Sequence, residues 1–121
     1  DTGLEGVPDG SVQLMLMINS VHFERSEPVE SARDYLRRFL RKLAPGGALV
    51  YHFDWIDPLH LPREDLVGLF VGAGFAPTAE ELPMPPHMPE ATLQVSSGPR
   101  DHTPRPLKRG FIVAFRRPAS P

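Results

Sequence analysis

The chain predicts an α/β fold with a largely parallel sheet. Three observations carry this. Two near-continuous apolar runs, 12–19 and 48–53, have the length and character of strands buried on both faces. Each is followed by a segment whose apolar residues recur at three- and four-residue steps. Strand and helix patterns therefore alternate, and that order is met by parallel strands joined through right-handed crossovers.

Asp9-Gly10 is a turn signal ahead of the first strand, Val12–Asn19. A helix over 28–43 follows, with Pro28 in its first turn, where a missing N–H costs little. Val29, Ala32, Leu36, Phe39, Leu40 and Leu43 share one face. Arg33, Arg37, Arg38, Arg41 and Lys42 lie largely outside it, as a solvated face does. Ala44-Pro45-Gly46-Gly47 ends this helix, and 48–53 is the second strand. A second helix is expected over 62–73, with Leu66, Leu69, Phe70 and Ala73 on its apolar face and Gly74 as C-cap. A short strand is expected over 78–82, and a last one over 111–115.

Seven of the 15 prolines fall in 83–109, which forbids a helix or a central strand there, although 92–95 has room to pair briefly. A connection this long suits a lid near the carboxyl ends of the strands. The whole chain, 1–121, reads as one partial domain containing that segment.

Charge is unevenly placed. Residues 1–99 hold 7 basic and 14 acidic side chains, whereas 100–121 hold 6 basic and one acidic. A solvated tail beside a strand explains this, and the tail lacks the interleaved aromatics of a nucleic-acid stacking platform. The absence of cysteine excludes disulfides and thiolate chemistry, with the cytoplasm as the default compartment. No apolar run reaches the length of a membrane span.

The punctuation resembles the second half of the class I, Rossmann-like, S-adenosylmethionine-dependent methyltransferases. Val7-Pro8-Asp9-Gly10-Ser11 matches the turn into that family's fourth strand. Leu43-Ala44-Pro45-Gly46-Gly47 matches the turn into its fifth, and Ala73-Gly74-Phe75 the helix end before its sixth. Phe111–Phe115 would be the antiparallel seventh. The resemblance implies the sheet order 3-2-1-4-5-7-6, of which this chain would supply 4-5-7-6 with both helices on one face. Two departures stand out. Gln13 occupies a place where the fourth strand usually carries aspartate, and the glycine-rich loop and ribose-binding carboxylate of the first half have no counterpart here.

Ligands of open α/β sheets bind beyond the carboxyl ends of the strands. That selects Asn19, Ser20, His22 and Phe23 after the first strand, and Asp54 and Trp55 after the second. By resemblance, Asn19 and Ser20 flank the methionine part of S-adenosylmethionine, and Asp1 and Thr2 lie beside its adenine. His22 is the candidate catalytic base; a histidine merely packed at the strand end is the plainer alternative. Phe23, Asp54 and Trp55 are candidates for lining a small-molecule acceptor site. Asn19-Ser20-Val21-His22 lacks the proline pair of DNA amino-methyltransferases, which argues against a nucleic-acid acceptor. His52, Asp54 and His60 have the side chains of a metal set, but nothing in the sequence fixes His60 relative to the strand. Asp1-Thr2-Gly3 matches the aspartic protease triplet, which this helix-rich pattern does not support.

The sequence therefore reads as the acceptor-side half of a methyltransferase. The alternative is a binding or assembly module that keeps the fold without the chemistry, and an unrelated α/β domain ranks below both. An uncovered Val12–Asn19 edge predicts a partner: a second copy or the missing half.

Overall fold

The computed structural model describes residues 4–84, 94–95, 105–106 and 108–119. Strand β1 spans Val12–Ile18, helix α1 Val29–Lys42, strand β2 Leu43–Ile56 and helix α2 Arg63–Ala73. Strands β3 (Glu80–Leu82), β4 (Gln94–Val95), β5 (Arg105–Pro106) and β6 (Lys108–Arg116) follow. Most of the lid expected over 83–109, and Asp1 and Thr2, lie outside the described residues. The brief pairing expected near 92–95 is met by β4 against β5.

The sheet order is β1-β2-β6-β3. β1 and β2 run parallel, and β6 is antiparallel to both β2 and β3. β2 is longer than expected, because α1 passes directly into extended backbone at Leu43. Along the β1 ladder, Val12 faces Leu43 but Leu14 already faces Ala48. Ala44–Gly47 therefore bulges out of register instead of forming a free turn. Gly46 takes a φ of +77°, which glycine alone adopts without strain. Gly47 passes so close to the carbonyls of Val12 and Ala44 that a Cβ would sit 2.9 Å from each.

Both helices cover the same face of the sheet. Ala32, Leu36 and Phe39 of α1 and Leu66, Leu69, Phe70 and Ala73 of α2 pack on Met17, Leu49, Tyr51, Val113 and Phe115. Phe70 stacks on Phe115 with centroids 3.9 Å apart and planes 7° from parallel. Val29, expected on the buried stripe, is exposed because it stands in the first turn of α1, at the edge of the packed region. Gly74 caps α2 in the left-handed conformation at φ +118°, as its sequence position predicts. The cap of α1 comes from far along the chain: Arg117 Nη1 donates to the Leu43 carbonyl at 2.5 Å and approaches those of Arg41 and Leu40. A cation there also meets the negative end of the helix dipole.

The opposite face is bare on β1. Leu14, Leu16 and Ile18 are 58%, 57% and 48% exposed, whereas Met17 is buried. A strand expected to be covered on both sides is thus covered on one. Among the described residues β1 is also a sheet edge. No helix of the described residues is long and apolar enough to cross a membrane.

Gly110 is the tightest point of the β2–β6 pairing. A Cβ there would fall 1.8 Å from the Phe53 carbonyl oxygen. Gly110→Ala should destabilise the fold by about 1–3 kcal/mol, the usual range for overpacking. A urea midpoint equal to that of the unsubstituted chain would show that the two strands have slack there.

Candidate functional site

β1 and β2 both end, in the chain direction, at the same edge of the sheet, and the candidate residues collect there. Asn19 closes β1. Its N–H still joins the ladder, donating to the His52 carbonyl at 2.7 Å, but its φ is +49°. Asparagine tolerates this left-handed conformation better than most residues. The turn aims its amide at β2, where Nδ2 donates to Asp54 Oδ2 at 3.0 Å and Oδ1 accepts the Asp54 N–H at 2.9 Å. The side chain thereby continues the parallel ladder one step past the end of the backbone strand. Asn19 and Asp54, chosen separately from the sequence, are brought together.

Asp54 also meets His52, whose Nε2 lies 2.7 Å from Oδ1. The contact is off the line of the N–H, so it has ion-pair distance without hydrogen-bond direction. His52 and Asp54 are two residues apart on a strand and face the side of the sheet away from the helices.

His22 belongs to the other side. Its ring packs edge-on against His60, with centroids 4.7 Å apart, and against Phe53 at 6.0 Å. Glu24 lies 3.4 Å from its Nδ1 and Asp57 3.4 Å from its Nε2, so two carboxylates flank the imidazole. It is 30% exposed, and thus reachable from solvent. Phe23, expected to line an acceptor site, is buried at 2% exposure against Tyr35, Tyr51 and Phe70. It anchors the loop and presents no free surface. Ser20 is exposed beside Asn19, and Trp55 is half-buried at the end of β2 opposite Arg109.

His60 does not join His52 and Asp54. It packs on Tyr51, Phe53 and Phe111, on the helix side of the sheet. Among the described residues no group of three or more histidine, aspartate or glutamate side chains is placed to hold a metal ion. His60 is instead 1% exposed and hydrogen-bonded within the protein. Its Nε2 lies 2.8 Å from Tyr51 Oη and its Nδ1 2.6 Å from the Leu61 carbonyl, while Tyr51 Oη also approaches the Val21 carbonyl at 2.5 Å. Burial pushes the Tyr51 phenol up and holds the His60 imidazole below its usual value. Sequence reasoning passes over Tyr51, since a tyrosine inside an apolar strand reads as core, and it weighs His60 only as a metal ligand, because nothing local ties it to Tyr51.

A solved structure shares this fold. A protein of Thermus thermophilus, described provisionally as a DNA modification methylase, superposes with a TM-score of 0.50 and 19% identity, over 95% of this chain and 48% of its own. A second crystal structure of it gives 0.47 and 21%, over 95% and 50%. The chain thus spans about half the length of these structures, and its fold is methyltransferase-like. No family model matches the chain, and no curated protein matches it.

Neutral His60 makes stability depend on acid. The unfolded imidazole takes up a proton near 6.5, while the folded one resists it because burial disfavours the charge. As pH falls through 6.5 the unfolded state gains a proton that the folded state lacks, so stability declines. Above that value the group contributes no slope. The Leu61 carbonyl and, more weakly, Asp57 favour its charge, but burial, with His22 beside the ring, outweighs them. His60→Gln should flatten the fall in urea midpoint between about pH 7 and pH 5. An unchanged slope would mean that the folded protein protonates His60 without resistance.

Proposed function

We propose that this chain is the acceptor-side half of an S-adenosylmethionine-dependent methyltransferase acting on a small molecule. The observation that carries this reading is the sheet order β1-β2-β6-β3, with β6 antiparallel between its neighbours. It is the order and direction implied for strands four, five, seven and six by the sequence resemblance. The methyltransferase-like fold of the solved structures supports it.

The residues present fit the cofactor in part. Asn19 and Ser20 are exposed at the carboxyl end of β1, where polar groups would meet the methionine end. Asp1 and Thr2 are proposed beside the adenine. The cofactor, when bound, supplies an activated methyl group. The protein's tasks are then to position the acceptor and to receive its proton. His22 is the group proposed to receive that proton, with Glu24 and Asp57 on either side to meet the resulting charge. Asp54, held by Asn19, and Trp55 are proposed on the acceptor side.

A nucleic-acid acceptor is the second reading, favoured by the name given to the Thermus protein. Against it, acidic groups stand on both faces at the strand ends, Glu24 and Asp57 beside His22 and Asp54 beside His52, and these would repel a polyanion. The module reading keeps the fold and loses the chemistry. In either case the β1 edge and its bare apolar face are proposed to take a partner, a second copy or a complementary half. Covering Leu14, Leu16 and Ile18 would recover roughly 1 kcal/mol for each half-exposed side chain.

Four measurements test this. The chain alone should bind S-adenosylmethionine weakly or not at all by calorimetry; micromolar affinity for a monomer would contradict the half-site reading. In the complete protein, label from methyl-tritiated cofactor should pass to a metabolite extract and not to double-stranded DNA. His22→Ala there should slow transfer more than it weakens cofactor binding; label in the DNA would move the reading to the second acceptor. Sedimentation at micromolar concentration should show an associated species, and a compact monomer that unfolds cooperatively would remove the partner.

A further inference from the structure

The loop after β1 and the loop after β2 are tied to each other. The Leu61 N–H donates to the Phe23 carbonyl at 2.9 Å, and the Arg25 N–H to the Leu59 carbonyl at 2.9 Å. Arg25 Nε reaches the Pro58 carbonyl at 3.0 Å, and Glu24 and His60 form a single antiparallel bridge. Behind this backbone stitching runs a buried polar chain: Val21 carbonyl, Tyr51 Oη, His60 Nε2, His60 Nδ1, Leu61 carbonyl. One end belongs to the first loop and the other to the second. Tyr51, fully buried on the central strand, stands between them.

The proton count limits how this chain can be bonded. Both ends are carbonyls, which only accept. Three close contacts require three protons, and a neutral phenol with a neutral imidazole supplies two. With the Nδ1 proton on Leu61, the single hydroxyl proton of Tyr51 serves Val21 or His60, one at a time. The hydroxyl is therefore shared between the two loops.

We propose that Tyr51 and His60 form a clasp that positions the 20–25 loop against the 57–61 loop, and so sets His22 beside Asp57. Both are positioning residues, because neither has surface to offer a ligand. The consequence at the site is direct. Asp57 faces His22 Nε2 because the second loop is docked, and the docked loop is held by His60. The proposal rests on the methyltransferase reading only for the role of His22; the clasp itself is independent of any reaction. The competing account is that apolar packing of Phe23 against Tyr35, Tyr51 and Phe70 holds the loops unaided.

Tyr51→Phe separates the two accounts, since it keeps the ring and deletes the hydroxyl. Amide hydrogen exchange in the full chain reads the result without cofactor or acceptor. The clasp predicts that the Leu61 and Arg25 amides exchange at least tenfold faster, while ladder amides of β2 and β6 such as Leu49 and Val113 keep their rates. Carbethoxylation of His22 by diethyl pyrocarbonate should rise severalfold in step. His60→Leu should loosen the same two amides, and His60→Gln, whose side-chain amide can still accept from Tyr51, should restore much of the protection. Unchanged Leu61 and Arg25 exchange in Tyr51→Phe and His60→Leu would overturn the clasp in favour of packing alone. Acceleration of all amides in one common ratio would overturn it too, as plain loss of global stability. Because no methyl transfer is measured, a failed clasp and a failed methyltransferase reading remain separate results.

Discussion

The double-sided pairing of β2 is the constraint on which the rest of the structure depends. It carries β1 along one edge and β6 along the other, and no other described strand has two long neighbours. Alternation along it then sorts chemistry by face. Leu49, Tyr51 and Phe53 turn toward the helices, and Ala48, Val50, His52 and Asp54 turn away. A slip of one residue would exchange these sets and place His52 and Asp54 in the apolar core. The bulge at Ala44–Gly47 sets this register, which is why close backbone passage at Gly47 matters at the far end of the strand.

From that register follows the asymmetry of the molecule. One face holds an aromatic core in which Phe70, Phe75 and Phe115 meet, and it is closed by two helices. The other exposes a run of branched aliphatic side chains on β1. Several half-exposed side chains of this size represent an appreciable fraction of a small domain's stability of roughly 5–15 kcal/mol. Edge and face are unsatisfied in the same strand, so a partner that adds both a strand and a covering layer answers both at once. A second copy related by a twofold axis normal to the sheet would pair the edges yet leave both faces bare.

The same alternation divides the candidate site. Asn19, His52 and Asp54 form a polar group on the open face, whereas His22 sits with Glu24, Asp57 and His60 at the helix side. Both groups stand at the carboxyl ends of the parallel strands. The first is held by a side chain that prolongs the ladder, the second by loops stitched to each other over Tyr51. The loop residues are thus tied by backbone hydrogen bonds, as a strand end is, although neither loop belongs to the sheet.

Both helices, the main strands, the Gly74 cap and the burial of Leu66, Leu69, Phe70 and Ala73 were legible in the sequence, because they follow from periodicity and turn chemistry over a few adjacent residues. So was the position of Asn19 and Asp54 at the strand ends, since strand ends are read locally. Other features required contacts between residues 9 to 77 positions apart, and local pattern carries no information about these. The link of Asn19 to Asp54, the burial of Phe23, the pairing of Tyr51 with His60 and the capping of α1 by Arg117 are of that kind. Sequence determined which segments become strands and helices, because hydrophobic period and backbone preference act over single turns. Only the tertiary structure decided which polar side chains meet, because that depends on strand register and on which face each residue is left to share.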